Sequence, residues 1–188
     1  MIPQQLMDYV KVYDNQIDSL SCKSIVEQLD LKEWTKHYYH NPMDNECKTY
    51  EDDLSVCESN TDDEINKIIW NAIRRYICED FKEFNSWFGG WSGFTIARFN
   101  RYDPSTRMRL HCDHIHSMFD GQRQGIPTLT VLGSLNDNYE GGEFMMFGDM
   151  EIKLKPGSLI LFPSNFMYPH EVMPIKSGVR YSFVSWVW

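Results

Sequence analysis

Residues 110–121, LHCDHIHSMFDG, hold three histidines and two aspartates. Such a cluster is either a metal site or a polar loop, and spacing separates the two. If RMRLHCDH (residues 107–114) is a strand, His111 and Asp113 lie two apart and point to the same face. Arg107 and Arg109 share that phase, while Met108, Leu110 and Cys112 face the other way as core. An imidazole and a carboxylate on one face are two cis ligands. A third is available from His170 in FMYPHEV, expected on a distant strand across a barrel. His114 and His116 are out of phase with His111 and read as solvent-facing or supporting groups in the loop that follows. HxD alone arises often by chance, so it needs the third ligand to carry weight.

Two histidines and one carboxylate on one face of an octahedral ion leave the opposite face open, the donor set of non-haem Fe(II) oxygenases. Arg180 follows His170 by ten residues, in GVRYSFVSW. If the two sit on adjacent antiparallel strands joined by a turn near Ser177-Gly178, the guanidinium reaches the barrel interior. An interior arginine is costly unless it meets an anion. A dicarboxylate that chelates the metal at one end would present its far carboxylate there, to the planar fork. Ser182, in phase with Arg180, adds a hydrogen bond. The competing reading pairs Arg180 with a surface acid.

These residues need a scaffold, and the chain divides into two textures. Up to about residue 90 the pattern is helical. DSLSCKSIVEQL predicts a short helix, and residues 61–90 a long one, with Thr61 and Glu64 at capping-box spacing and Gly89-Gly90 as a stop. Ile65, Ile68, Ile69, Ala72, Ile73, Tyr76, Ile77 and Phe81 recur at three- and four-residue steps, as in a helix packed on a sheet. Asn41 to Asn60 is acidic and reads as a surface loop. From Gly93 onward short strands alternate with turns: GFTIARFN, RMRLHCDH, TLTVLGSLN, GGEFMMF, EIKLK, SLILFPS, YPHEVMPI and VRYSFVSWVW. The expected fold is mostly β with supporting helices (α+β): a double-stranded β-helix, or jelly-roll barrel, backed by N-terminal helices. Residues 1–188 read as a single domain, with 1–90 as helical support and 91–188 as the core.

Composition narrows the partners. The chain has 188 residues, 14% aromatic, and a formal net charge of -9. That is too aromatic for disorder. No basic patch is visible, which disfavours nucleic acid. Five cysteines with no CxxC pair read as reduced thiols in the cytoplasm. Neither a signal peptide nor a membrane span is expected. Oligomeric state is not legible.

With HCDH, SLNDNYEGGE and HEVMPIKSGVR in that order, the chain resembles the 2-oxoglutarate and Fe(II)-dependent dioxygenases of the prolyl 4-hydroxylase-like branch, over about residues 93–188. The closing RYSFVSWVW is also similar to the family's last strand. The resemblance implies that His111, Asp113 and His170 hold Fe(II) and that Arg180 holds the far carboxylate of 2-oxoglutarate. Tyr102 and Thr130 fall at positions that contact the cosubstrate in many relatives, although a strand-end aromatic and a strand former are equal readings. O2 is the implied oxidant and ascorbate an accessory reductant. The carboxylate ligand favours hydroxylation over halogenation. Ser134 and Met108 depart from the family, which often has tyrosines there.

The implied substrate is a peptidyl proline. A free amino acid or other small metabolite, or a jelly-roll binding module with no turnover, are the alternatives. Arg98, Arg107 and Arg109 could guide an acidic peptide or a small carboxylate. For Arg98 and Arg107 a solvated strand charge is the simpler reading, and Arg109 is kept as a substrate residue. Trp186, with Trp87 and Trp91, could stack on a substrate ring, although core packing is the default for such side chains.

Overall fold

The computed structural model describes residues 5–41, 46–58, 63–86, 93–113 and 127–188, and among them every strand runs antiparallel to the strand it pairs with. In chain order the elements are β1 (Lys11–Tyr13), α1 (Ser19–Leu29), β2 (Thr35–Lys36), β3 (Tyr39–Asn41), β4 (Glu46–Lys48), β5 (Ser55–Glu58) and α2 (Asp63–Arg75). They continue with β6 (Arg98–Tyr102), β7 (Met108–His111), β8 (Leu129–Ser134), β9 (Tyr139–Gly141), β10 (Phe144–Met146) and β11 (Met150–Glu151). The last are β12 (Leu159–Pro163), β13 (His170–Val172), β14 (Ile175–Gly178) and β15 (Arg180–Val187). A seven-stranded sheet in the order β1-β12-β8-β15-β6-β5-β2 faces a four-stranded sheet in the order β11-β10-β13-β7.

The period-two alternation of strand side chains sorts the large sheet into two faces. Leu129 and Val131 of β8, Leu159 and Leu161 of β12, and Tyr181, Phe183 and Val187 of β15 pack with Ile65, Ile69, Ile73 and Leu29 of the two helices. The alternate residues Leu132, Ile160 and Phe162 turn inward, where they meet Phe144, Met146 and Val172 of the small sheet. Because both faces are covered, β15 is buried along its whole length. The expected jelly roll with helical backing is the observed architecture.

The helix signals hold in part. Asp18 caps α1, accepting from the N–H groups of Leu20 (2.9 Å) and Ser21 (3.0 Å). The apolar stripe of α2 is buried as its spacing requires. The α-helix stops at Arg75, however, and Tyr76–Asp80 form a wider π turn closed by the Phe81 N–H on the Tyr76 carbonyl. There Tyr13 donates to Asp80 (2.5 Å) and the Tyr76 hydroxyl to the Tyr9 carbonyl (2.6 Å), pulling the helix end onto the segment around β1. Thr61, Gly89, Gly90, Trp87, Trp91, His114 and His116 lie outside the described residues. Among the described residues no helix is long and apolar enough to cross a membrane, and the five cysteines are unpaired.

Four expectations are corrected. The first half is not only helical: β1 forms one edge of the large sheet, and β5 and β2 the other. These strands are too short to show a period. The acidic stretch from Asn41 to Asn60 is not only surface loop, since it carries β5 and the buried Asp53 and Leu54. Leu110 is 55% exposed rather than core, because β7 ends the small sheet and covers one face only. EIKLK is a ladder only at Met150–Glu151, and Ile152 and Leu154 pack inward from irregular chain.

Gly133 makes room for a ring on the neighbouring strand of the large sheet. A Cβ there would lie 2.2 Å from the ring of Phe183, its ladder partner on β15. Gly133→Ala is expected to cost about 1–3 kcal/mol by overpacking. Phe183→Leu in the same chain should recover part of that loss. Urea unfolding of the two single variants and the double variant measures the coupling.

Candidate active site

The small sheet fixes two of the three candidate ligands by register alone. His170 on β13 is the direct ladder partner of His111 on β7, and their rings lie 4.3 Å apart between centroids. The third ligand therefore comes from the adjacent strand of the same sheet, not from across the barrel as spacing suggested. Asp113, two residues past His111, completes the group. His111, Asp113 and His170 each offer a ligand atom within 4.8 Å of the others. Nε2 of His111 lies 3.3 Å, and Nε2 of His170 3.8 Å, from Asp113 Oδ1. Cis ligands on an octahedral ion at about 2.1 Å sit about 3 Å apart, so little contraction is needed.

The hydrogen bonds around the group decide its chemistry. Nδ1 of His111 donates to the Arg109 carbonyl (2.7 Å), and Nδ1 of His170 to the Tyr168 carbonyl (3.1 Å). A carbonyl only accepts, so each neutral ring keeps its proton on Nδ1 and turns the lone pair of Nε2 inward. Burial and the neighbouring His111 push the pKa of His170 down to about 4. Burial alone would raise the pKa of Asp113, but His170, His111 and the Thr130 hydrogen bond outweigh it and keep the group ionised. With Nδ1 of each ring held by a carbonyl, both Nε2 atoms are left to face Asp113, and in the neutral rings they present two lone pairs beside a carboxylate, a set that suits a cation. Phe144 and Phe162 pack around His170 and shield it.

Thr130 lies beneath Asp113. Its hydroxyl donates to Asp113 Oδ2 (2.7 Å) and sits 2.8 Å from Ser164 Oγ, which must then be the donor in that pair. Thr130, one of the two residues whose position matched cosubstrate contacts or simple strand formers, is seen here orienting the carboxylate. Ser164 was not singled out in the sequence, where nothing ties the end of β12 to Asp113.

Across the barrel, β15 places Arg180 on the inner face of the large sheet. His170 and Arg180 are not on adjacent strands: β14 pairs with β9, and the chain has changed sheets before β15 begins. The interior position survives this change of path. Arg180 is 1% exposed, its Nη1 donates to Ser182 Oγ (3.2 Å), and its guanidinium lies 4.9 Å from the Tyr102 ring centre. Among the described residues no carboxylate pairs with it, and its Nε is buried without a hydrogen-bond partner. Gly142 makes room for it, because a Cβ there would meet Arg180 Cδ at 3.2 Å and Ile175 Cδ1 at 2.4 Å. That close approach, at φ +67°, accounts for the second glycine of GGE.

Orphaned polar atoms line the same inner face. Asn100 Oδ1, Ser134 Oγ, Arg180 Nε, Arg98 Nε and Trp186 Nε1 are buried without partners. All five belong to β6, β8 or β15. A buried polar group without a partner is costly, so this wall fits polar, anionic ligands, and its part around Arg180 fits 2-oxoglutarate.

The remaining predicted residues fall into two groups. Arg109 pairs with Asp52, lies 3.8 Å from Asp53 and stacks on Tyr50, so its charge is already matched within the protein. Arg107 is likewise paired, with Glu171 at 3.1 Å. Trp186 and Arg98 do face inward, with the guanidinium 4.9 Å from the indole centre. Arg98 is half-buried, with its Nε out of solvent. His37, missed in the sequence, feels the charges of Arg98, His111 and Asp113, and burial with Arg98 pushes its pKa down to about 3.

A jelly roll with a histidine-aspartate-histidine group opposite an unpaired interior arginine is the architecture of the cosubstrate-dependent iron oxygenases. Residues 97–188, just under half of the chain, match the model of the 2OG-Fe(II) oxygenase superfamily. A PKHD-type hydroxylase of Crocosphaera subtropica is 37% identical over 95 residues, 48% of this chain and 41% of that protein. One of Shewanella oneidensis is 39% identical over 94 residues, 47% and 41% of the two chains. The chain thus matches less than half the length of these relatives. A viral collagen prolyl hydroxylase of Paramecium bursaria Chlorella virus-1 superposes with a TM-score of 0.65 at 15% identity, covering 95% of this chain and 94% of that one. A prolyl hydroxylase of Trichoplax adhaerens, solved with a hypoxia inducible factor peptide, gives 0.64 at 20% identity, with 96% and 84% covered. These two likenesses concern the fold.

Thr130→Val keeps the shape of the side chain and removes the donor to Asp113. Removing a hydrogen bond that orients a metal ligand typically costs about 10- to 100-fold in metal affinity. Anaerobic Fe(II) titration should show a loss of that size in the variant, with the far-UV spectrum of the wild type retained.

Proposed function

We propose that this chain is an Fe(II)- and 2-oxoglutarate-dependent hydroxylase whose metal ligands are His111, Asp113 and His170. The observation that carries this reading is the convergence of two inward lone pairs and one carboxylate, facing an interior arginine with no acid of its own. When bound, Fe(II) and 2-oxoglutarate supply the oxidative chemistry: O2 is consumed, succinate and CO2 are released, and one oxygen atom enters a substrate C–H bond. Arg180 takes the far carboxylate through its planar fork, steadied by Ser182 and Tyr102. Thr130 holds Asp113 in place. Phe144 and Phe162 keep water from His170, and the two backbone carbonyls keep both imidazoles in the ligating tautomer.

The substrate reading is a peptidyl proline, supported by motif resemblance to the prolyl 4-hydroxylase-like branch. Ascorbate is the proposed accessory reductant. A reducing cytoplasm suits five unpaired thiols and a ferrous ion. Residues 1–188 are proposed to act as one catalytic domain, to which the N-terminal part contributes sheet edges as well as helices. The same chemistry on a free amino acid or small metabolite is the second reading, favoured by the additional inward cation Arg98.

Fe(II) together with 2-oxoglutarate should raise the thermal midpoint, as ligands of the native state do; a binding module without turnover would show no such rise. His111→Ala and Asp113→Ala should each reduce iron-dependent succinate release to background while leaving the far-UV spectrum intact. Full activity in both variants would remove the triad from the mechanism. Arg180→Ala should raise the 2-oxoglutarate requirement about 10- to 100-fold, the worth of a charge-assisted contact. An unchanged requirement would assign that arginine elsewhere.

A further inference from the structure

We propose that Arg98 is the substrate-anchoring residue of this site and that the group it takes is a carboxylate. The inference rests on the oxygenase reading and adds the charge of the substrate. Arg98 opens β6 in the phase of Asn100 and Tyr102, so it shares their inward face. Its guanidinium stacks on Trp186, 4.9 Å from the ring centre, which fixes the plane of the fork. Its Nε is buried with no hydrogen-bond partner.

The neighbouring acids do not neutralise it. Glu58 is its ladder partner on β5, but that side chain is exposed, and among the described residues Arg98 makes no ion pair. Arg107 and Arg109, which look similar in sequence, are both committed to carboxylates. Asp113 is close enough to act on Arg98 through its charge, yet it is needed as a metal ligand. His37 is neutral and changes nothing in the count.

The balance of charge then points outward. A divalent ion and a doubly charged cosubstrate cancel. Asp113 offsets one of the two inward arginines, Arg180 or Arg98, and one positive charge is left over on the inner face. A substrate carboxylate on Arg98 closes the balance, and the fork offers it two parallel N–H donors. Two sources share this chemistry: the α-carboxylate of a free amino acid or chain end, and an Asp or Glu side chain beside the hydroxylated residue.

The test uses the full chain loaded anaerobically with Fe(II) and 2-oxoglutarate, each loading measured first. Matched probes are then titrated at equilibrium: N-acetylproline against its carboxamide, and blocked peptides containing Glu-Pro or Pro-Glu against Gln-Pro or Pro-Gln. At least one acid probe should bind about tenfold more tightly than its amide twin, the worth of one charge-assisted contact. The pair that shows the difference identifies the source. Arg98→Gln should abolish the difference and Arg98→Lys should keep part of it, with 2-oxoglutarate affinity and thermal midpoint unchanged in both. Equal binding of acid and amide, or no binding of any acid probe, overturns the proposal. So does a loss of 2-oxoglutarate affinity in Arg98→Gln, which would place the cosubstrate on that residue. Failure of the wild type to load metal and cosubstrate would instead refute the oxygenase reading, and this proposal with it.

Discussion

Two imidazole lone pairs and a carboxylate aimed at one point repel one another unless a cation lies between them. Much of the small sheet is arranged to impose that layout. The β7–β13 register sets His111 opposite His170, and a backbone carbonyl two residues upstream of each ring fixes its tautomer. The Ser164–Thr130 relay then holds the carboxylate from the large sheet. Both sheets therefore meet at this group, and a shift of one residue in the β7–β13 ladder would turn a histidine out of the barrel. The conflict among the donors is tolerated because the fold around them is over-determined by two packed cores, one on each face of the large sheet.

The inside of the barrel carries a second unresolved demand. Its apolar residues gather around Phe162, Phe144 and Met146, while the inner faces of β6, β8 and β15 carry unpartnered polar atoms. An interior built for stability alone would pair or replace them. Here the cost is concentrated on one wall, opposite the metal ligands, where an anionic ligand would satisfy the donors. Gly142 belongs to the same design, because it trades conformational freedom for the passage of the Arg180 stem.

The sequence disclosed most where the physics is local. The approach of His111 to Asp113, the short helix α1 and the apolar stripe of α2 each depend on neighbours a few residues away, and the structure shows all three. The inward turn of Arg180 was also legible, from its phase with Ser182 and its distance from His170, although the path between the two residues was misread. What stayed hidden depends on pairing across the chain. That β5 and β2 join β6, that Ser164 supports Thr130, and that His37 comes near His111 are set by long-range register, which no local pattern encodes. Leu110 failed for a related reason: alternation says which way a side chain points, but not whether anything covers that side.

The three arginines 98, 107 and 109 carry this lesson into function. Each stands in a strand or beside one, and their side chains are chemically identical. Arg107 and Arg109 are neutralised by Glu171 and by Asp52, so their charges tie elements together: β7 to β13, and β7 to the acidic segment before β5. Arg98 has the same charge but lies on the inner face of β6, where its guanidinium stacks on the indole of Trp186 and, among the described residues, makes no ion pair. The acids near it are Glu58, exposed on β5, and Asp113, beside the two histidines. Residues 97–188, the stretch that matches the superfamily model, hold His111, Asp113, His170 and Arg180. The preceding strands bring His37 and Glu58 to the edge of that machinery, so the part of the chain outside the family match helps to set which charge the pocket will accept.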